Sequence, residues 1–293
     1  MIKAKIISAT AAEGQIRIYA CIATQLCEDA RATHQLSKGV TVAFGRFITG
    51  AALMAGMMKN EDEVLTLQMK GDGPVNTMTV TANPQVEVKG YVTHPDVEGF
   101  DTDKIGSLIG EGQLSVIKDI GLKEPYIGTS PIITGEIAED LTYYYAMSEQ
   151  IPTSIALGVQ VSDAGRVTLA GGFVLQLMPF ADERLVTQLE QLLAKSDSVI
   201  DIIESGNDAK GLILHLLKDF DPQFLGEKPL AYVCDCSHQK VSQALLAIGE
   251  KDLKELKEEE EVEVKCDFCN KTYTFSSDEI ATLLDYALDK KIL

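Results

Sequence analysis

Two short cysteine pairs constrain this chain more than any other feature. They are Cys234-Asp235-Cys236 and Cys266-Asp267-Phe268-Cys269, with 29 residues between them. Each pair offers two sulfurs from one turn, so the intervening segment only has to fold back for four thiolates to meet. Four soft sulfur donors suit tetrahedral zinc, which favours thiolate and has no redox chemistry of its own. The expected arrangement is one Zn2+ per chain, held by Cys234, Cys236, Cys266 and Cys269. Four ordinary cysteines and an iron–sulfur cluster are the alternatives. His238 follows the first pair, but four sulfurs complete the shell, and it is placed in the first turn of a helix, His238–Ile248. Cys21 and Cys27 lie far off in sequence and read as buried small hydrophobes.

The residues around the pairs support a small metal domain. Cys266–Cys269 forms a knuckle, Tyr273-Thr274-Phe275 continues as a strand, and Ser276-Ser277-Asp278-Glu279 is a capping box that opens a helix to Asp289. A core in a domain of about sixty residues contributes only about 3–5 kcal/mol. Zinc in comparable small sites contributes an apparent 10–16 kcal/mol or so, so loss of metal is expected to unfold this domain. Most four-cysteine sites are structural, and that reading stays open here. A disulfide across one intervening residue is strained, however, and strained disulfides form and reduce reversibly. A C-x-C pair of metal-held thiolates is therefore also open to a redox-regulatory reading.

Before the cysteines, the pattern is α+β. Ile2–Ser8 and Gln15–Ala23 alternate apolar and polar residues about Ala11–Gly14 and read as a hairpin. Glu28–Ser37 reads as a polar helix and Val40–Lys59 as a buried one. Val64–Lys70, Val75–Thr81 and Val86–Val92 follow as a three-strand meander, with Gly71-Asp72-Gly73-Pro74 and Asn83-Pro84 as its turns. Gln113–Asp119, Ile132–Thr134, Ile155–Val161 and Val167–Leu177 add strands, and Asp140–Gln150 adds a helix. The expected organisation is a domain over 1–178, with mostly antiparallel strands around a buried helix. A helical connector over 179–229 follows, built from Ala181–Ala194, Val199–Glu204 and Ala209–Asp219. Asp221-Pro222 and Glu227-Lys228-Pro229 close it before the zinc domain over 230–293. Lys251–Glu263 reads as a solvated acidic helix.

Composition narrows the partners. A formal charge of −18 is expected to exclude nucleic acid and anionic membranes as main partners, since both need a basic surface. The apolar run Val40–Met58 is long enough for a membrane span, but Arg46 and its many small residues favour the central helix of a soluble domain. No signal-peptide layout is expected from Met1–Ile6. A cytoplasmic location follows as an expectation, and there paired cysteines suggest metal or redox chemistry. Gly71–Pro74 and Gly110-Glu111-Gly112 read as turns rather than phosphate cradles. Glu136, Glu139 and Asp140 read as a capped helix start. His34, His94 and His215 stand alone, so no catalytic site is expected and the chain reads as a non-enzyme. A zinc-ribbon nucleic-acid module and a thiol oxidoreductase using Cys266 and Cys269 remain as other classes.

Several motifs together resemble one family. They are Gly71-Asp72-Gly73-Pro74 after the strand Leu65–Lys70, Gly90-Tyr91-Val92, Val116–Tyr126, Gly135–Leu141, Ser148–Pro152, Ala170–Phe173, and the two cysteine pairs. The chain resembles the redox-regulated bacterial heat-shock chaperone of thirty-three kilodaltons over nearly its whole length. The resemblance implies an ATP-independent holdase, inactive when reduced and zinc-loaded, that protects against oxidative and heat stress. It implies that oxidation forms the disulfides Cys234–Cys236 and Cys266–Cys269 and releases zinc. The zinc domain and connector then unfold, unfolding client proteins bind, and the active form is a homodimer. Connector residues such as Leu185, Leu189, Leu192, Leu212 and Leu214 are then expected to be freed for clients.

Overall fold

A computed structural model describes residues 4–100 and 102–289. The chain divides into two compact units, Met1–Val233 and Cys234–Leu293. The expected start of the first strand at Ile2 lies outside the described residues.

The first unit opens with the hairpin β1 (Lys5–Ala11) and β2 (Ile16–Ile22), joined where Ala12, Glu13 and Gly14 all take positive φ. Then come α1 (Thr24–His34) and α2 (Lys38–Gly56). Every residue of α2 from Gly39 on is buried except Arg46. That is why the sequence shows an apolar run with no polar face. Its small residues let neighbours close in: a Cβ on Gly50 would lie 2.6 Å from Leu141 Cδ1. The buried hydroxyls of Thr41 and Thr49 each donate to the carbonyl four residues back, at 2.7 Å, so neither hydroxyl is stranded. Arg46 reaches Glu136 at 2.7 Å. Among the described residues α2 is the helix long and apolar enough to cross a membrane, and 94% of its apolar window is buried.

The meander follows as β3 (Val64–Gly71), β4 (Thr77–Ala82) and β5 (Glu87–Val92). A four-residue helix, α3 (Gly106–Ile109), was not expected. It explains the glycines of the Gly71–Pro74 turn, which packs main chain against main chain on it. A Cβ on Gly71 would fall 2.0 Å from the Ile109 carbonyl oxygen, and Gly73 N–H donates to that oxygen at 2.9 Å. This is a packed turn, as the sequence reading had it. Next are β6 (Gly112–Asp119), β7 (Tyr126–Pro131) and α4 (Ala138–Tyr144), which runs into a π-helical turn Tyr145–Glu149. The strand expected at Ile132–Thr134 is thus displaced to Tyr126–Pro131. There, at the sheet edge, four of six residues are exposed and alternation is weak. The expected helix Asp140–Gln150 begins earlier and widens to π at its end. β8 (Thr153–Val161) and β9 (Val167–Leu177) complete this stretch.

Residues 179–229 hold α5 (Glu183–Leu193), α6 (Val199–Glu204) and α7 (Ala209–Leu217). Each starts on a side-chain cap, since Asp182, Ser198 and Asp208 accept from main-chain N–H groups at 2.7, 3.2 and 2.8 Å. A strand, β10 (Gln223–Pro229), follows where only a closing loop was expected. It pairs antiparallel with β1. Nearly all of its residues are exposed, so ladder hydrogen bonds hold it and no hydrophobic period announces it. β11 (Ala231–Tyr232) ends the unit.

These strands form a five-stranded sheet, β10-β1-β2-β9-β8, and a six-stranded sheet, β11-β5-β4-β3-β6-β7. Helix α2 packs against strands of both, which makes it the centre of the main core. On the other face of the five-stranded sheet, Ile7, Ile16, Ile18 and Leu175 pack with Ile202, Leu212, Ile213 and Leu216 of α6 and α7. Leu185, Leu189 and Leu212 are therefore buried, whereas Leu214 is already exposed.

The second unit contains α8 (His238–Ala247), α9 (Glu250–Lys257), β12 (Glu261–Lys265), β13 (Thr272–Ser276) and α10 (Ser277–Asp289). The acidic run stops being helical at Lys257. Glu261 and Glu263 lie on β12, whose alternate residue Val262 is buried opposite Phe275. The mixed α+β class with a large sheet-rich first part is the fold the sequence led us to expect.

Candidate metal centre

The four tail cysteines come from two local structures. Cys234 and Cys236 lie in the extended stretch before α8, whose first turn is capped by Ser237 accepting from Lys240 N–H at 3.2 Å. Lys240 also pairs with Asp235 between the two cysteines. Cys266 and Cys269 occupy the turn of the β12–β13 hairpin. Cys266 N–H donates to Lys271 O at 2.9 Å, Asn270 N–H donates to Cys266 O at 2.8 Å, and Asn270 takes the left-handed φ of 61°. The capping box at Ser276 and Glu279 is formed, with Ser276 N–H donating to Glu279 at 2.9 Å and Glu279 N–H to Ser276 at 3.3 Å.

All four sulfurs lie within 4.8 Å of one another. Cys234 and Cys266 are 3.8 Å apart and Cys236 and Cys269 3.3 Å, so the close contacts run across the two pairs. All six cysteines are free thiols. A tetrahedral site with metal–sulfur bonds of about 2.3 Å has sulfur–sulfur edges of about 3.8 Å, and the set fits that size. Main-chain groups already favour charged sulfur: Cys236 N–H donates to Cys234, and Lys271 N–H to Cys269. His238 turns its Nε2 toward Thr274 O at 3.4 Å and Glu279 at 3.5 Å.

The thiols differ in acidity. Burial pushes Cys234 and Cys269 up from the ordinary thiol value. At Cys236 burial acts the same way, but hydrogen bonds led by the Tyr273 hydroxyl outweigh it and bring the thiol down to about 7. That hydroxyl lies 3.1 Å from the sulfur. Sequence reading treated Tyr273 only as a strand residue. The signal was its alternation with Phe275, which puts both on the buried face. Cys21 and Cys27 sit in the first unit at 0% and 1% exposure. Burial pushes Cys27 up to about 12 and Cys21 higher, which makes both poor nucleophiles. His34 bonds Tyr232 at 2.8 Å, His94 the Pro74 carbonyl at 2.8 Å, and His215 lies 3.6 Å from Asp197. Among the described residues, the tail cysteines are the group of potential ligands that converges on one point.

Fold and site together define a two-unit α+β protein whose smaller unit gathers four cysteine sulfurs closely enough to hold a metal ion. The family model described as Hsp33 protein matches residues 4–276. The 33 kDa chaperonin of Lachnoclostridium phytofermentans is 44% identical over 284 residues, covering 95% of this chain and 97% of the relative. That of Clostridium perfringens is 43% identical over 288 residues, covering 96% and 90%. The crystal structure of the 33 kDa chaperonin from Thermotoga maritima superposes with a TM-score of 0.89 at 31% identity, covering 98% of this chain and 99% of that one. The chain belongs to the Hsp33 family, a family of chaperones.

Proposed function

We propose that this chain is a redox-regulated, ATP-independent holdase, inactive when reduced and metal-bound. On this reading Cys234, Cys236, Cys266 and Cys269 hold one Zn2+, which when bound keeps the four sulfurs charged and ties α8 to the β12–β13 hairpin. The observation that carries the reading is the convergence of four sulfurs from two segments in a unit whose core, among the described residues, has eight buried side chains. Such a core gives about 3–5 kcal/mol, so the unit depends on its metal.

Oxidation within each pair, as Cys234–Cys236 and Cys266–Cys269, removes the thiolate charge that binds the cation. Those bonds close only local loops, so they leave the second unit without a long-range tie, and it unfolds. The connector 179–229 then loosens, exposing Leu185, Leu189 and Leu212 together with the sheet face they cover. That surface takes unfolding proteins without any reaction on them, and two copies associate in the active state. The acidic composition keeps the complexes soluble and disfavours nucleic acid and membranes as partners; the reading takes the cytoplasm as the site of action, as expected from the sequence.

Light scattering of a heat-aggregating protein tests this. Peroxide-treated chain should suppress the scattering without nucleotide, and a thiol reductant should restore it. Equal suppression by the reduced and oxidised forms would refute the reading.

A further inference from the structure

We propose that Tyr273 is a positioning residue for Cys236, whose hydroxyl caps the sulfur and sets how readily the C-x-C pair is oxidised. This rests on the reading of the four tail cysteines as one metal-binding, oxidisable set. The phenol O–H donates to Cys236 Sγ across 3.1 Å, and the residue is only 7% exposed. Its ring is fixed by the pairing of Tyr273 with Val264, by Lys271 Nζ at 5.0 Å over its face, and by the His238 ring at 6.3 Å. The hydroxyl therefore has little freedom to leave the sulfur. Cys234 and Cys269 receive main-chain N–H groups, which any chain of that shape supplies. The phenol is a side-chain choice made by the sequence.

A donor on a charged sulfur stabilises that charge and lowers the reactivity of its lone pair. With a hydroperoxide, the Cys236 lone pair attacks the peroxide oxygen. The S–O bond forms, the O–O bond breaks, and hydroxide leaves. A second thiolate, from Cys234, then attacks the sulfenic sulfur. The S–S bond forms, the S–O bond breaks, and a second hydroxide leaves. Two thiolates lose two electrons, the peroxide gains two, and both hydroxides are protonated to water by buffer acid in the solvent. Tyr273 restrains the first of these steps. Once the sulfur has lost its charge, the buried hydroxyl loses its strong acceptor, so oxidation also weakens the seat of β13.

The test uses the full chain with Tyr273→Phe, which keeps the ring and deletes the donor. Zinc release under excess hydrogen peroxide, followed with a chromogenic chelator, should be roughly 3- to 10-fold faster than in wild type. In the cobalt-substituted proteins, the sulfur-to-cobalt charge-transfer band of Y273F should move to longer wavelength, because the uncapped sulfur is the better electron donor. A purely structural role would not move that band while far-UV circular dichroism stays unchanged. Equal release rates with an unmoved band overturn the role of Tyr273 alone. A wild type that binds no metal, or keeps it through peroxide, overturns the metal-and-oxidation reading as well. Should Y273F fail to fold, a ring-fluorinated tyrosine at 273 keeps the shape and strengthens the donor. Slower release then supports the proposal, and unchanged or faster release overturns it.

Discussion

Asp140 is fully buried, yet both of its oxygens are engaged. One accepts from Ile133 N–H at 2.7 Å and Thr134 N–H at 3.0 Å, and the other from Ile137 N–H at 3.1 Å. It thereby holds a loop in which the β-branched Ile137 sits at a φ of 69°, a conformation that needs outside support. Asp140→Ala should cost about 3 kcal/mol or more, read as a lower urea midpoint for the first unit. An unchanged midpoint would show that other contacts hold the loop. Glu28 makes a pH prediction. The Arg31 guanidinium beside it, helped by Val167 N–H at 2.9 Å and Arg166, holds its carboxyl at about 2 despite partial burial. A depressed folded value means that its stabilisation is complete above the ordinary glutamate range near 4.5 and is lost as pH falls toward 2. Glu28→Gln should lower stability at neutral pH by about 1–2 kcal/mol and flatten the fall of stability between those limits. An identical acid profile in the variant would remove Glu28 from that account. Neither role was legible in the sequence beyond a capped helix start: the partners of Asp140 are main-chain groups of an irregular loop, and Glu28 adds to its near neighbour Arg31 two partners, Val167 N–H and Arg166, that lie far along the chain. The four cysteines were legible because two short pairs bring their geometry with them.

Among the elements, those that bury one face wrote themselves into the sequence. The β1–β2 hairpin, the meander and α2 appear where alternation or an unbroken apolar run placed them. β10 and the shifted β7 did not, since both lie at sheet edges held by ladder bonds and tolerate almost any polarity. The second unit makes the element-level prediction. Among the described residues its buried core is Val241, Leu245, Leu253, Val262, Tyr273, Phe275, Ile280 and Leu284, and on the proposed reading a metal supplies the stability that so small a core lacks. Chelating the metal from reduced protein should abolish amide protection in α8 and α10, including Leu245 and Leu283, while α2 stays protected. Continued protection at those two leucines would sink the dependence on metal.

At the level of the whole molecule, the proposed function links fold and activity through the same four sulfurs. A chain with Cys234, Cys236, Cys266 and Cys269 all replaced by Ser should bind no zinc, lose the fold of the second unit, and suppress aggregation without oxidant. If it stays as inactive and as folded as the reduced wild type, the link between metal, fold and holding is wrong. Wild type activated by peroxide should show Cys234–Cys236 and Cys266–Cys269 on peptide mapping, with Cys21 and Cys27 still reduced. The pairing of β1 with β10 has a separate consequence, one of timing. Lys5 and Glu227 are neighbours in the sheet but 222 residues apart in the chain. At translation rates of about 5–20 residues per second, β1 waits roughly 10 to 45 s for its partner strand to be made. Throughout that interval a newborn chain presents an open sheet edge, the kind of surface on which other nascent chains aggregate. A chain proposed to hold unfolding proteins thus passes through a hazard of the same kind during its own synthesis.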